Sequence, residues 1–291
     1  MANAQIMTAG ELELPEVLSS EIIADTQQAS VIQTMASQVA LPGSGSSIRV
    51  ITGDAQAQWV EEGGEKPVDK ATLTHKIMTP HKLAVIELFT QELLEDDQAL
   101  YAELSRRLPG ALARKFDETI IAGSAPGSGF DVLSDAQEID ASKGFYKGGL
   151  AAMKAIAQAR GNLTGFAITP TAEADILGET DANGRPLFIN SVATEGAVGS
   201  ILNRPVYKAD VIDGDVAALA GDWTNARWGV VGGIKVKISD QATVNTSAGL
   251  VNLWQTNQVG ILVEARYGFV VGDKDKFARL TIDGTAPGDG A

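Results

Sequence analysis

The sequence predicts an α+β chain, and three observations carry that prediction. One long run of apolar residues recurs at helical spacing. Several short runs alternate with period two or are apolar throughout, as strands do. Polar, glycine-containing stretches too long for tight turns separate them.

The helical run lies in Glu92–Gly123, ELLEDDQALYAELSRRLPGALARKFDETIIAG. Leu100, Leu104, Leu108, Leu112, Phe116 and Ile120 recur every fourth residue. Each step of four over-rotates the 3.6-residue turn by about 40°, so the apolar stripe winds around the helix and its two ends face different directions. Asp96 and Asp97 are candidate N-caps, and Gly123 is a candidate φ > 0 stop. Pro109 removes a bond to the Ser105 carbonyl and pushes Leu108 away from α geometry. The run is therefore either two ordinary helices joined at Pro109–Gly110 or one kinked helix of about 40 Å.

Ahead of it, Met1–Leu41 carries short helical signals (Leu18, Ile22 and Ile23, then Val31, Ile32 and Met35) without a sustained stripe. Such a segment is expected to lie on another surface. Pro42–Ser47 is punctuation, and Ser47–Thr52 alternates as a strand. A polar excursion with Trp59 as its one large apolar side chain follows, and His81–Thr90 returns as a second strand. Strand, excursion and strand suggest a two-stranded ribbon, marginal in water unless something lies against it. The excursion is either a mobile surface loop or an arm that contacts another copy.

After a loop-like stretch, Leu150, Met153, Ile156 and Ala157 mark a helix from Gly148, and Gly165–Thr169 marks a buried strand. Thr171 is expected to cap a short helix through Leu177, followed by a turn-rich loop at Asp181–Phe188. Strands are expected in ILNRPVYKADVI from Ile201 and in RWGVVGGIKVKIS from Arg227, an alternation that suggests an α/β subdomain. From Val251 the chain turns strand-rich, with Val259, Ile261 and Val263 alternating. Lys274–Ile282 closes the fold.

Composition narrows the function. The chain has 291 residues, 44% apolar, with 23 Lys and Arg against 37 Asp and Glu, for a net charge of −14. An acidic chain without a basic, aromatic-interleaved run does not grip nucleic acid, although it can surround it. Cysteine is absent, which excludes disulfides, cysteine zinc sites and thiol nucleophiles and suits a reducing cytosol. The N-terminus reads as no signal peptide, and no apolar run approaches the roughly 20 residues of a membrane span.

The search for chemistry nominates no catalytic, cofactor or metal residue. The two histidines, His75 and His81, lie six residues apart and read as exposed ribbon residues. Gly127-Ser128-Gly129 reads as a turn, and neither a Walker A sequence nor a G-x-S-x-G elbow occurs. Asp210, Asp213, Asp215 and Asp222 do not match a calcium loop and read as a solvated acidic loop. Glu61, Glu62 and Glu65 beside Lys66 and Lys70 form a dense charge cluster, serving either solubility or ion pairs that set register with a neighbouring subunit.

The segments AQWVEEGGEKP, LTHKIMTPHKLAVIELFTQELLEDD, ALARKFDETIIAGSAPG, GFAITPTAEADIL, DANGRPLF, ILNRPVYKADVI, AGDWTNARWGVVGGIKVKIS and NQVGILVEARYGFVVGDKDKFARL occur in this order. In that order and spacing the chain resembles, over nearly its whole length, HK97-fold major capsid proteins of tailed bacteriophages. The resemblance implies an N-arm at 1–46, an E-loop ribbon at 47–82, a peripheral domain with the long spine helix at 83–147, an axial domain at 148–245, and peripheral closing strands with a C-terminal tail at 246–291. It favours the single kinked helix.

The resemblance also implies a shell protein, not an enzyme, that self-assembles into pentamers and hexamers of an icosahedral head around double-stranded DNA. Its partners would be itself, a portal protein, and separate scaffolding and decoration proteins, with no membrane. It would reside in the virion after assembly in the host bacterial cytoplasm. Candidate intersubunit contacts are Arg49, Trp59, Glu61, Glu62, Lys66 and Lys70 on the ribbon and Asp181 and Arg185 in the axial loop. Some members crosslink Lys to Asn; Lys66, Lys70, Asn245 and Asn252 match no such motif, so non-covalent shells are expected. The alternative is an encapsulin-like nanocompartment shell enclosing cargo enzymes. An α/β hydrolase or carboxylate-dependent enzyme would need a clustered acid/base pair that no spacing here supplies.

Overall fold

The computed structural model describes residues 30–53, 57–63, 65–66, 68–70, 72–92, 98–179, 199–209, 212, 216–247 and 249–282. The first half holds α1 (Val31–Met35), β1 (Ser37–Gln38), β2 (Ser46–Gly53), β3 (Thr72–Met78), β4 (His81–Thr90), α2 (Gln98–Ile121), β5 (Gln137–Asp140) and α3 (Phe145–Gln158). The second half holds β6 (Gly165–Ile168), α4 (Pro170–Gly178), β7 (Gly199–Ile201), β8 (Arg204–Lys208), β9 (Val216–Gly221), β10 (Ala226–Val230) and β11 (Lys235–Ser239). Then follow β12 (Thr243–Thr246), β13 (Gly249–Asn252), β14 (Gln258–Val271) and β15 (Phe277–Thr281).

Strand β14 organises the first sheet. Gln258–Tyr267 pairs antiparallel with β4, Gly260–Glu264 with β11 and Tyr267–Val271 with β10, and β1 adds in parallel to β10. Helix α2 crosses this sheet as one unbroken helix of 24 residues, about 36 Å long. Pro109 lies inside it. A proline in a helix interior costs about 3 kcal/mol. Leu108, Leu112, Phe116, Ile120 and Ile121 are all buried, at about 1.5–3 kcal/mol each, so packing outweighs the lost bond. Phe116 sits at the centre, with its ring centroid 5.0 Å from Tyr267, 6.2 Å from Phe130 and 6.4 Å from Phe269.

The expected caps Asp96 and Asp97, and the side chains of Leu100 and Leu104, lie outside the described residues. Gly123 does not adopt positive φ. A Cβ there would stand 2.9 Å from Thr119 Cα and 3.0 Å from its carbonyl oxygen, so close approach, not handedness, calls for glycine.

The ribbon differs from the expectation. Strand β2 pairs with β3, a strand hidden in the supposed polar excursion, whereas β4 joins the core sheet. Leu83, Val85 and Phe89 on β4 face the main core. Strand β3 leaves Leu73 and Ile77 exposed and buries only Met78 at its end. His81 consequently is no exposed ribbon residue. It is half-buried, edge-on to Phe130 at 5.9 Å, with Nε2 3.1 Å from the Ser128 carbonyl oxygen.

The second sheet runs β5-β15-β9-β6-β8-β7 and packs against α3 and α4. The two sheets draw strands from across the linear division: β10 and β11 bond to β14, while β15 lies between β5 and β9. Helix α3 begins at Phe145, not Gly148, and buries Phe145, Gly148, Gly149, Ala152 and Ile156. Of the residues that mark this helix in the sequence, Ile156 is buried and Leu150, Met153 and Ala157 are exposed. A Cβ at Gly148 would lie 2.7 Å from that of Ala141, so the glycine face seats the helix closely against the sheet. The Glu179 carboxylate accepts from the Phe145 and Tyr146 amides and caps this helix. The cap of α4 is Thr169, whose hydroxyl accepts from the Ala172 amide at 2.9 Å, with Pro170 in the first turn; Thr171 is not the cap.

The buried Asp117 of α2 ties down α1. Its carboxylate accepts from the Ser30 hydroxyl at 2.6 Å and the Val31 amide at 2.8 Å. Burial pushes its pKa up to about 7, although hydrogen bonds from Ser30, Val31 and Ile32 pull it down. Asp222 is likewise buried, accepting from the Asn162 amide at 3.1 Å and the Thr224 hydroxyl at 2.5 Å, and so is not part of a solvated acidic loop. Leu18, Ile22, Ile23, Asp210, Asp213 and Asp215 lie outside the described residues.

Candidate assembly surfaces

The ribbon stands on a seat cut from glycine. At its base Ile48, Val50 and Met78 form a small core with Leu41, Val231 and Val270. A Cβ at Gly229 would lie 2.7 Å from Leu41 Cβ and 2.9 Å from the Val39 carbonyl oxygen. One at Gly268 would lie 2.7 Å from Met78 Cγ and 2.8 Å from Leu41 Cδ2. Without side chains at these two positions the ribbon reaches the sheet. Lys76 fastens it further, donating to Asp131 at 3.2 Å and to the Val271 carbonyl oxygen at 2.7 Å.

The outer face of the ribbon is uncovered. The register sets Ile77 opposite Ser47 and His75 opposite Arg49, and Ile77, Leu73, His75 and Arg49 are all exposed. Beyond the strands Trp59 is 105% exposed, touching almost nothing, and Val68 is 91% exposed. Full exposure of an indole forfeits about 1.5–3 kcal/mol of burial, which contact with another surface would recover. Glu61, Glu62, Lys66 and Lys70 are exposed, and none forms an ion pair among the described residues. Arg49, Trp59 and these four charges thus share one projecting element, while Asp181 and Arg185 lie outside the described residues.

A second projection escaped the sequence reading. The hairpin β12–β13 carries Leu250, and the turn after it carries Trp254, which is 68% exposed. Its signal was present: from Ser239 to Asn257 the only charged residue is Asp240. A tryptophan and a leucine in a neutral run mark a contact surface more readily than a solvated one.

Among the described residues, no group of three or more metal-ligating side chains is clustered, and no helix is long and apolar enough to cross a membrane. The buried carboxylates of Asp117 and Asp222 are engaged in holding backbone and hydroxyl groups.

The model of the phage capsid family matches residues 10–282. The chain belongs to the phage capsid family. It is 30% identical over 308 residues to the probable major capsid protein gp17 of Mycobacterium phage D29, covering 99% of this chain and 97% of that protein. Its identity to the probable major capsid protein gp17 of Mycobacterium phage L5 is 32% over 301 residues, covering 96% and 92%.

The solved structure of a Mycobacterium phage Bobi chain superposes with a TM-score of 0.73 at 22% identity, over 98% of this chain and 95% of that one. A chain from the capsid of an empty GTA particle superposes with a TM-score of 0.63 at 17% identity, over 87% and 89%. The fold is the HK97-type capsid fold, and the capsid protein serves a structural role in a virion, as one of multiple copies. The named relatives come from phages and do not favour a nanocompartment.

Proposed function

We propose that this phage capsid protein self-assembles into pentamers and hexamers of an icosahedral shell that encloses double-stranded phage DNA. The observation that carries the proposal is the ribbon with its loop, a projecting element on which Trp59, Val68, Leu73 and Ile77 find no cover among the described residues. A heterologous contact repeated around a closed shell would cover it in every copy. In this reading residues 1–46 form the N-arm, 47–82 the E-loop ribbon, 83–147 the peripheral domain with its spine helix, 148–245 the axial domain, and 246–291 the closing strands and tail.

Arg49, Trp59, Glu61, Glu62, Lys66 and Lys70 make contacts on a neighbouring copy, and Asp181 and Arg185 help close the rings. The charge of −14 keeps the lining from gripping DNA during packaging and release. Portal, scaffolding and decoration proteins are the expected partners, assembly takes place in the host cytoplasm, and the protein carries no catalytic step.

The test is negative-stain electron microscopy of the protein expressed alone, with light scattering after size exclusion. Uniform round shells, or free rings of five and six, are expected. A compact monomer without larger species, even with scaffolding supplied, overturns the proposal.

A further inference from the structure

The turns on either side of the β12–β13 hairpin enclose an open recess of about 410 Å³, lined by Gln241, Asn252, Trp254 and Gln255. That volume falls within the roughly 300–1,000 Å³ of small-ligand sites. The backbone fixes its shape. The Leu253 amide donates to the Ala242 carbonyl oxygen at 3.0 Å, which holds Gln241 beside the second turn, and the Gln258 amide donates to the Leu253 carbonyl oxygen at 3.0 Å. Asn252 closes that turn: its Oδ1 accepts from the Gln255 amide at 3.2 Å, and its carbonyl oxygen accepts from the Thr256 hydroxyl at 2.9 Å. Leu253 is buried and anchors the segment, while its neighbour Trp254 stands exposed on this fixed backbone.

The lining is therefore one indole among three carboxamides, with neither a cation nor a carboxylate in it. The Gln241 and Gln255 side chains make no hydrogen bond among the described residues, so each has a C=O acceptor and an NH₂ donor to offer. Such a lining selects its ligand by chemistry. An anion would find no cation to pair with, and a cation no carboxylate. A purely apolar ligand would cover the amides and leave them unpaired. The ligand that fits is neutral, has groups that both donate and accept, and has a flat patch of C–H bonds for the electron-rich indole face. A pyranose ring has all three features, with C–H bonds on its face and hydroxyls around its rim.

We propose that this recess binds neutral saccharide chains, with a pyranose ring stacked on Trp254 and its hydroxyls held by Gln241, Asn252 and Gln255. The site is complete within one subunit and does not rest on shell assembly. Copies standing side by side with this recess outward would add their weak sites into strong attachment to a polysaccharide surface.

The test is saturation-transfer NMR on the unassembled subunit with three neutral trisaccharides: maltotriose, mannotriose and triacetylchitotriose. Binding of at least one is expected. Trp254→Ala should weaken that binding at least tenfold, whereas Trp254→Phe, which keeps an aromatic face, retains most of it. Gln241→Leu leaves the second turn and its indole unaltered and should weaken binding severalfold, so the proposal stays testable if the Trp254 variants misfold. Met153→Ala, an exposed apolar residue on α3, should change nothing. Absence of binding to all three sugars overturns the proposal, and so does unchanged binding in folded Trp254→Ala and Gln241→Leu subunits. An unaltered subunit that binds no sugar, together with a Trp254→Ala subunit that forms no shells, would assign the recess to a contact between copies instead.

Discussion

Replacing Asp117 with Asn tests the buried attachment of α1 to α2. In the folded chain Asp117 is 2% exposed and its pKa is pushed up to about 7, against 3.8 for the free carboxyl. A raised pKa means that the folded state binds the proton more tightly than the unfolded state. The stability this supplies is complete below about pH 4 and is lost as pH rises through 7. At about 1.36 kcal/mol per unit the full window is worth roughly 4 kcal/mol, of which about 2.5 falls between pH 8 and pH 5. Asp135, whose carboxyl Lys274 holds below its usual value, works in the opposite direction only at more acid pH.

The assay is urea unfolding of the unassembled subunit from pH 5 to pH 8, because assembly would add its own free energy. The unaltered subunit is expected to gain about 2.5 kcal/mol from this carboxyl on going from pH 8 to pH 5. The Asp117→Asn subunit should lack that gain, at a pH-independent cost of about 1 kcal/mol for one mismatched hydrogen bond. An equal pH dependence in both proteins refutes the reasoning.

Gly229→Ala places a methyl against Leu41 and the Val39 carbonyl, and should cost about 1–3 kcal/mol in urea unfolding by overpacking the ribbon's seat. Thr169→Ala removes the cap of α4 and is expected to cost about 1 kcal/mol in the same assay. Replacing residues 55–70 with a short Gly–Ser turn leaves both ribbon strands in place; a folded subunit that forms no closed shells in electron micrographs is expected, and normal particles would contradict the loop's role. Purified shells boiled in SDS should run as a single monomer band, and a ladder of larger species would disprove non-covalent assembly.

Much of the architecture was legible because periodicity reports burial directly. The stripe from Leu108 to Ile120 and the alternation of Ile261 and Val263 each meet the core they imply. Legibility failed where a residue's neighbour, not its own chemistry, decides its role. Strand β3 was missed because Leu73 and Ile77 stay exposed and Met78 alone is buried, so the strand looks like a loop with stray hydrophobics. The buried face of α3 could not be read from its apolar residues, because Gly148 and Gly149 are buried in its contact while Leu150 and Met153 are exposed.

The candidate site divided along the same line. Arg49, Trp59 and the charge cluster could be nominated from composition, since large apolar and charged groups in a polar arm stand out. Glu179 as the cap of α3 is a tertiary contact between two helices, and no local spacing announces it.

Both sheets depend on the last two strands among the described residues. Strand β14 is the common partner of β4, β10 and β11, and β15 is the seam between β5 and β9. Until residues 258–281 emerge, β4, β10 and β11 have no common partner and β5 cannot join β9, and we expect nascent chains to remain without the first sheet through most of synthesis. Such non-local pairing slows folding. It also times it: a polypeptide broken off before its final strands cannot present the arm and seat that a growing particle would accept, so topology itself screens out incomplete copies.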